Sequence, residues 1–114
     1  AAEFKLNNLI AMVDQNGFRN DGATAYSEIL DLAKMWQSFG WNVIEVDGHN
    51  HLEIQEAYAL AAKSNVKPTV IVANTIKGKG VSLMENNNDW HHNRITKSTY
   101  DQFIVELAGN ENGD

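Results

Sequence analysis

Residues 68–80 read PTVIVANTIKGKG, and this stretch decides the class of fold. From Thr69 to Thr75 the residues are mostly apolar and β-branched, which is typical of a strand buried inside a parallel sheet. Lysine and glycine then alternate from Lys77 to Gly80, and glycine allows the backbone to approach a ligand closely. The stretch therefore predicts a core strand whose carboxyl end opens into a basic loop.

Two more apolar runs lie upstream of this strand, at Asn8–Asp14 and at Trp41–Val46. Each is short and ends in polar turn residues, so each predicts another buried strand. Helical stretches separate the three runs, and strands that are joined through helices run parallel. We therefore expect an α/β fold, a parallel sheet with flanking helices. Three strands make a thin sheet, and its open edges suggest a partial domain.

The helices are predicted between and after these strands. From Thr24 to Phe39 apolar residues recur every three or four positions, and Gly40 supplies a left-handed stop. The next helix is expected to begin after Asn50, which can form a capping pair with Glu53. A long loop follows the third strand, and Ser98 can cap a last helix beyond it.

The composition fits one small globular domain, because 43% of the 114 residues are hydrophobic and 21% are charged. The formal net charge is −6, which argues against a nucleic-acid partner. There is no cysteine, so disulfides and thiolate metal sites are excluded. No apolar run approaches the roughly 20 residues that span a bilayer. We expect no membrane partner and a cytoplasmic protein.

Polar residues gather where the predicted strands end, at residues 14–18, 47–49 and 75–78. Parallel α/β sheets bind ligands at the carboxyl ends of their strands. In the first segment, the side-chain oxygen of Asn16 and the main-chain carbonyl of Phe18 would suit Mg²⁺ or Ca²⁺, once a carboxylate and phosphate oxygens are added. An Asn-Gly pair is also an ordinary turn, so both interpretations stay open on spacing alone.

The other two segments carry histidine and lysine. Asp47-Gly48-His49 is followed by His51, but without a second ligand set a tight turn leading to a helix cap is a better interpretation than a metal cluster. Lys77 and Lys79 flank a glycine and could meet a phosphate, although a solvated basic loop has the same pattern.

Two adjacent histidines, His91 and His92, end the polar stretch after this loop. Imidazole changes its charge near neutral pH, so either residue could transfer protons. Neighbouring side chains of an extended segment point to opposite sides. We therefore expect at most one of the two histidines to face a given site.

Three stretches in order resemble the transketolase family: KLNNLIAMVDQNGFRNDG at residues 5–22, FGWNVIEVDGHN at 39–50 and KPTVIVANTIKGKGVSLMENNNDWHHN at 67–93. They are similar to the second part of its N-terminal, thiamine diphosphate-binding domain, in particular of the bacterial type that is split into two polypeptides. The resemblance implies the thiamine diphosphate-binding fold, as a partial domain at residues 1–108. Residues 109–114 are predicted to be a flexible tail.

This resemblance implies an enzyme of carbohydrate metabolism, in the pentose phosphate pathway. It would use thiamine diphosphate and a divalent metal to transfer a two-carbon ketol unit between sugar phosphates. In the family the site lies between the subunits of a dimer. The implied partners are therefore the remaining transketolase domains or subunit, with the full enzyme a dimer.

The resemblance also assigns site residues. Asn16 and the main-chain carbonyl of Phe18 match the metal ligands of the family. Lys77 matches a lysine that contacts the cofactor diphosphate in some members, and Asn20 matches a position that flanks the thiazolium ring. His91 matches a histidine beside the diphosphate and the reacting centre, so it is the expected catalytic residue. Physically, Lys77 and His91 supply positive donors for the diphosphate and for developing charge.

Some parts of the family pattern are not found here. No G-D-G segment, which opens the family's metal site, precedes Asn16. The domain that binds the aminopyrimidine ring has no counterpart either, and His92 stands where many members have glycine. We therefore expect this chain alone to be catalytically inactive and to work within a longer chain or an assembly.

Two alternatives remain at this point. One is another thiamine diphosphate enzyme with the same domain, such as deoxyxylulose-phosphate synthase, although NGFRNDG and WHHN favour transketolase. The other is a non-catalytic remnant that only associates with a partner subunit, which the missing G-D-G segment keeps open.

Overall fold

The computed structural model of the chain describes residues 1–19, 22–23 and 31–110. These residues form two compact units: residues 1–16 and 31–75 make the first, and residues 17–19, 22–23 and 76–110 make the second. In chain order the elements are β1 Ile10–Gln15, β2 Phe18–Arg19, β3 Gly22–Ala23, α1 Leu32–Ser38, β4 Asn42–Asp47, α2 His51–Ala61, β5 Thr69–Asn74, a 3₁₀ turn Asn88–His91 and α3 Lys97–Asn110.

The first unit is built on a parallel sheet with the strand order β1-β5-β4. The strands are in full register, since Thr69 pairs with both Ile10 and Asn42, and Asn74 pairs with both Gln15 and Asp47. All three strands therefore end at one edge of the sheet. The predicted parallel sheet with flanking helices is confirmed.

The central strand β5 is the most buried part of this unit. The side chains of Val70, Ile71 and Val72 are all 0% exposed, which matches the unbroken apolar run that predicted the strand. Ile71 packs in one cluster with Val46 of β4 and Ala57 of α2. Burying an aliphatic side chain of this size contributes about 1.5–3 kcal/mol, so this strand dominates the packing of the unit.

Helix α1 confirms part of the predicted helix. Asp31 has an extended backbone (φ −69°, ψ 96°), and its side chain accepts a hydrogen bond from the Lys34 N–H at 2.9 Å, so it caps a helix that begins at Leu32. Residues 24–30 of the predicted helix lie outside the described residues. Gly40 has φ +83° and its N–H donates to the Gln37 carbonyl, so the left-handed stop is confirmed.

The predicted capping pair of α2 is also confirmed. Asn50 Oδ1 accepts hydrogen bonds from the N–H groups of Leu52 and Glu53, at 3.1 and 3.3 Å. The Glu53 carboxylate accepts from Asn50 Nδ2 at 3.0 Å and from the Asp47 N–H at 2.8 Å. In a capping box the glutamate reaches back to the N–H of the capping residue. Here it reaches the end of β4, so the cap also ties the helix to the sheet.

The second unit differs from the prediction in two places. A short antiparallel pair of strands, β2 and β3, was not predicted. Helix α3 is capped by Thr96, not Ser98: Thr96 Oγ1 accepts from the Thr99 N–H and Thr99 Oγ1 accepts from the Thr96 N–H. Ser98 lies inside the first turn of α3, and a capping residue must precede the first helical residue.

Helix α3 continues through Gly109 and Asn110, so the first residues assigned to the tail are helical. Residues 111–114 lie outside the described part of the chain, and the flexible tail stays a prediction. Among residues 1–19, 22–23 and 31–110, no helix combines the length and apolar character needed to span a membrane.

Candidate functional site

A cluster of polar side chains lies where β1 and β5 end, in the first unit. Asp14 is its centre: one carboxylate oxygen accepts a hydrogen bond from Thr75 Oγ1 and the other accepts from Asn16 Nδ2, at 3.1 Å for the latter. The Thr75 N–H donates to the Gln15 carbonyl, which extends the β1–β5 pairing past the strand. We call Asp14, Asn16 and Thr75 the strand-end cluster.

The hydrogen bond from Asn16 to Asp14 determines how the nitrogen and the oxygen of the Asn16 amide group are oriented. A carboxylate accepts only, so the nitrogen of the Asn16 amide must be the atom that faces Asp14. The remaining amide atom, Oδ1, is the one with the chemistry of a hard-cation ligand. The donor set that the sequence predicted, this oxygen and the Phe18 carbonyl, therefore fits Mg²⁺ or Ca²⁺ in kind.

Two oxygen ligands do not complete a site for such a cation, which takes six or more. Within the described residues, no three His, Cys, Asp or Glu side chains come together where they could hold a metal ion. A cation held by Asn16 would therefore need further oxygens, and those of a diphosphate are suitable. The pairing of the Phe18 carbonyl with Asn16 at one cation stays a prediction.

The end of β4 forms a turn that allows no side chain. The Gly48 N–H donates to the Asn74 carbonyl at 2.8 Å, and a Cβ at Gly48 would lie 2.3 Å from Thr75 Cγ2. The Asp47 carboxylate accepts from the His49 N–H at 2.9 Å. This segment therefore holds β4 close to β5 beside the strand-end cluster and leads into the cap of α2.

In the second unit, residues 76–87 form a compact loop, which we call the basic loop. The Asn86 N–H donates to the Lys77 carbonyl at 2.9 Å and so closes the loop at its base. Gly78 has φ +74°, and a Cβ there would lie 2.5 Å from the Met84 carbonyl oxygen, so only glycine fits. The loop predicted to be open is therefore tightly folded on itself.

The two lysines of the basic loop have different surroundings. Lys79 Nζ lies 3.9 Å from Glu85 Oε1, and the same oxygen accepts from the Gly80 N–H at 3.0 Å. Lys77 is half-buried, and in the described part of the chain no carboxylate lies within 4 Å of its ammonium group. Its charge is therefore the one in this loop that a nearby carboxylate does not offset.

Lys77 and His91 meet through their side chains. Lys77 Nζ lies 3.4 Å from His91 Nδ1. An ammonium group has only donors, so in this contact Nδ1 is the acceptor and the proton of the neutral imidazole sits on Nε2. The pair therefore offers the remaining ammonium hydrogens and the His91 Nε2–H, which are donors for an anion.

His91 owes its position to the 3₁₀ turn that it ends. Asn87 Oδ1 accepts from the Asp89 N–H at 3.0 Å and caps this turn. The next residue, Trp90, packs edge-to-face on Phe103 of α3, with ring centroids 5.3 Å apart, and Phe103 is buried. The aromatic pair therefore anchors the histidine segment to α3.

The expectation that His91 and His92 point to opposite sides is wrong. It assumed an extended segment, whereas His91 belongs to the 3₁₀ turn. The two imidazole rings stand edge-to-face with centroids 4.8 Å apart. Both rings are exposed, so His92 is a neighbour of the Lys77–His91 pair in the same unit.

The structure thus forms two groups from the predicted site residues. Asn16 joins Asp14 in the first unit, and Lys77 joins His91 in the second. Phe18 lies in β2, and Asn20 is outside the described residues. The convergence of both groups on one diphosphate stays a prediction, as do the individual roles.

Asp14, which organises the strand-end cluster, was not among the predicted site residues. The sequence nevertheless contains a pattern that indicates its role. Asp14 and Asn16 are two positions apart at the end of an extended strand, so their side chains point to the same face. The hydrogen bond between Asp14 and Thr75 joins residues that are 61 positions apart, so no local sequence pattern indicates it.

Comparison with known proteins places this geometry in a family. Residues 1–108 match the model of the transketolase, thiamine diphosphate binding domain. The chain is 35% identical over 109 residues to an apulose-4-phosphate transketolase subunit of Phocaeicola vulgatus, covering 93% of this chain and 38% of that protein. It is 38% identical over 104 residues to the 6-deoxy-6-sulfo-D-fructose transketolase subunit SqwG of Clostridium sp., covering 90% of this chain and 38% of that protein.

Longer transketolases match over the same part of the chain. Human transketolase is 33% identical over 108 residues, covering 94% of this chain and 17% of that protein. The crystal structure of transketolase from Campylobacter jejuni superposes with a TM-score of 0.85 at 24% identity, covering 95% of this chain and 17% of that one. The chain therefore spans a minor part of the relatives that it matches, and it belongs to the family of transketolase thiamine diphosphate-binding domains.

Proposed function

We propose that this chain forms the diphosphate-binding part of a transketolase-type enzyme, which transfers a two-carbon ketol unit between sugar phosphates with thiamine diphosphate and Mg²⁺ or Ca²⁺. The observation that carries the proposal is the contact of 3.4 Å between Lys77 Nζ and His91 Nδ1, in a chain of this family. It combines a cation without a nearby carboxylate and an imidazole with its donor at Nε2, which is chemistry suited to a diphosphate.

In this proposal the second unit binds the anion. Lys77 meets a diphosphate oxygen as a point charge, and the His91 Nε2–H donates to the diphosphate or to negative charge that develops on a substrate oxygen. His91 is the proposed catalytic residue, because it alone of the pair has a ring whose nitrogens can both donate and accept hydrogen bonds. When bound, thiamine diphosphate supplies the carbanion chemistry itself.

The strand end binds the metal in the same proposal. Asn16 Oδ1 and the Phe18 carbonyl are neutral oxygen ligands, and Asp14 holds the amide of Asn16 by its nitrogen. Asn20 is proposed to flank the thiazolium ring, on the family pattern alone. A neutral pair of ligands leaves the positive charge of the cation available to the diphosphate.

The chain is proposed to work with other transketolase domains or with a partner subunit, in a dimeric and cytoplasmic enzyme. Two relatives are named as transketolase subunits, and the chain spans 38% of each, which supports an assembly. We expect the chain alone to be inactive.

The test measures thiamine diphosphate binding by calorimetry in the presence of Mg²⁺. The chain is measured alone and joined to the remaining transketolase domains. We expect binding in the joined form, and Lys77→Ala should weaken it about tenfold or more, which corresponds to about 1.4 kcal/mol.

Lys79→Ala is the matched control, since it removes the same charge from the same loop. Glu85 already offsets the Lys79 charge, so its loss should change the affinity by less than about threefold. If both substitutions weakened the affinity equally, Lys77 would contribute only general positive charge and not a specific contact. Absence of binding in both forms of the protein would favour the non-catalytic remnant.

A further inference from the structure

The basic loop has a second attachment besides its own hydrogen bonds, and it comes from α3. Glu106 accepts two hydrogen bonds from Ser82: Oε2 from the Ser82 N–H at 2.7 Å and Oε1 from the Ser82 hydroxyl at 2.9 Å. Hydrogen bonds to a charged group are stronger than those between neutral groups. This pair therefore holds one point of the loop firmly on the helix.

The same face of α3 also holds the histidine segment. Phe103 and Glu106 are three positions apart in the helix, so they are neighbours on one face. Phe103 contacts Trp90, the residue before His91, and Glu106 contacts Ser82 of the loop that begins with Lys77. One helical turn thus carries both chain segments whose side chains meet in the Lys77–His91 pair.

Packing around Ser82 supports the same attachment. Val81, the preceding residue, is buried, and a Cβ at Gly80 would lie 3.3 Å from Leu107 Cδ2. The loop therefore lies close against α3 over several residues. The negative charge of Glu106 cannot attract a diphosphate. Glu106 can therefore contribute to diphosphate binding only by holding the loop in position.

We infer that Glu106 is a positioning residue, which holds the basic loop on α3 so that Lys77 and His91 stand ready as a pair for a diphosphate. The inference rests on the proposed function for the identity of the anion. The attachment itself is independent of any ligand. The inference therefore predicts that removing the negative charge of Glu106 weakens the binding of the anion. Electrostatic repulsion alone would predict the opposite.

The first measurement is amide hydrogen exchange on the chain itself, without ligand. The amide to follow is Asn86 N–H, which closes the loop on the Lys77 carbonyl and does not touch Glu106 directly. Glu106→Ala should speed its exchange about tenfold, equivalent to about 1.4 kcal/mol. Glu106→Gln, which keeps an oxygen acceptor for Ser82, should rescue most of this protection.

Asp101→Ala is the matched control, because Asp101 lies on the same helix and pairs with Lys97 at 3.5 Å. It removes the same charge without touching the loop, so the exchange of Asn86 should stay within about twofold of the wild type. Unchanged exchange in Glu106→Ala would overturn the inference, as would equal changes in both variants.

The second measurement is the affinity for inorganic pyrophosphate with Mg²⁺, on the chain joined to the remaining transketolase domains. Glu106→Ala should weaken it about tenfold, whereas charge removal alone, as in Asp101→Ala, predicts equal or slightly tighter binding. Tight binding by Glu106→Ala overturns the inference. If the wild type does not bind pyrophosphate, the proposed function fails, and the exchange data alone decide whether Glu106 holds the loop.

Discussion

The strand-end cluster and the basic loop use carboxylates in different ways. At the strand end, Asp14 accepts from two side chains, Asn16 and Thr75, and so orients a potential ligand group. At the basic loop, Glu85 of the loop and Glu106 of α3 each accept from a backbone N–H of the loop and so shape the chain itself. The first region presents oxygen atoms and the second presents nitrogen donors. Under the proposed function, the oxygen atoms suit a metal ion and the nitrogen donors suit a diphosphate.

The difference also concerns how each region is supported. The strand end inherits its geometry from three strands in register, with the buried β5 between its neighbours. The basic loop depends on glycine conformations and on contacts with α3. We therefore expect the loop to be the more fragile region. Two pairs of substitutions test this difference.

The largest effect is expected for Gly78→Ala in the basic loop. Gly78 has φ +74°, and the new Cβ would lie 2.5 Å from the backbone of Met84, which cannot move aside alone. Strain and displaced backbone should together destabilise the chain by about 2–4 kcal/mol. Urea unfolding measures this change.

Gly17→Ala, beside the strand-end cluster, is the control. Gly17 has nearly the same φ of +77°, but a Cβ there would meet nothing within 4 Å. Gly17→Ala should destabilise the chain only by the free energy that a side chain costs in the left-handed conformation, about 1–2 kcal/mol. Equal destabilisation by both substitutions would mean that the tight packing of the basic loop does not contribute.

A smaller effect is expected from Asp14→Ala in the strand-end cluster. This change removes the hydrogen bond between Asn16 Nδ2 and Asp14, so the Asn16 oxygen is less firmly oriented as a ligand. Loss of a group that orients a metal ligand usually weakens metal affinity 10–100-fold, and we expect about tenfold here. Calorimetry with Mg²⁺ and thiamine diphosphate, on the chain joined to the remaining domains, measures it.

Asp47→Ala provides the comparison for Asp14. Asp47 ends the neighbouring strand β4, and its carboxylate accepts from the His49 N–H. It orients no proposed ligand, so its loss should leave the Mg²⁺ affinity within about threefold of the wild type. If Asp14→Ala behaves like Asp47→Ala, the orienting role of Asp14 is refuted.

The smallest effect concerns Asp31, a carboxylate outside both regions. Hydrogen bonds from the Lys34 side chain and N–H lower the pKa of Asp31 below its usual 3.8, although both residues are exposed. A carboxyl group with a lowered pKa stabilises the fold above its ordinary pKa, and this contribution is lost as the pH falls through the lowered value. The α1 cap should therefore loosen only in strong acid.

NMR titration of the Lys34 amide would follow this loss. Asp31→Asn keeps an oxygen that can accept from the Lys34 N–H, so it should retain the cap and remove the pH dependence. A titration of the Lys34 amide that persists in Asp31→Asn would assign it to another group.

Local rules predicted the fold well where the deciding contacts are local. The apolar run of β5, the stop at Gly40 and the Asn50–Glu53 pair depend on near neighbours in the chain, and all three are confirmed. The cap of α3 was predicted at the wrong residue, since Ser98 and Thr96 are both hydroxyl residues close to the start of the helix. Nothing in the residue types separates them.

The candidate site was predicted only as residues and not as contacts. The partners that organise it are far apart in sequence: 61 positions separate Asp14 from Thr75, and 24 separate Ser82 from Glu106. No helical or strand period links such residues, so only the folded chain shows them. The 3₁₀ turn at His91 was also missed, because the polar residues before it gave no periodic signal.

The strand order has a consequence for how the polypeptide acquires its native state. The last strand in sequence, β5, lies between the other two, and β1 and β4 each pair with it. During synthesis from the N-terminus, β1 and β4 lack their shared partner until Thr69–Asn74 has left the ribosome. Sheet formation is then a late and cooperative step governed by long-range contacts, and nascent chains that stop before this point should be targets for chaperones.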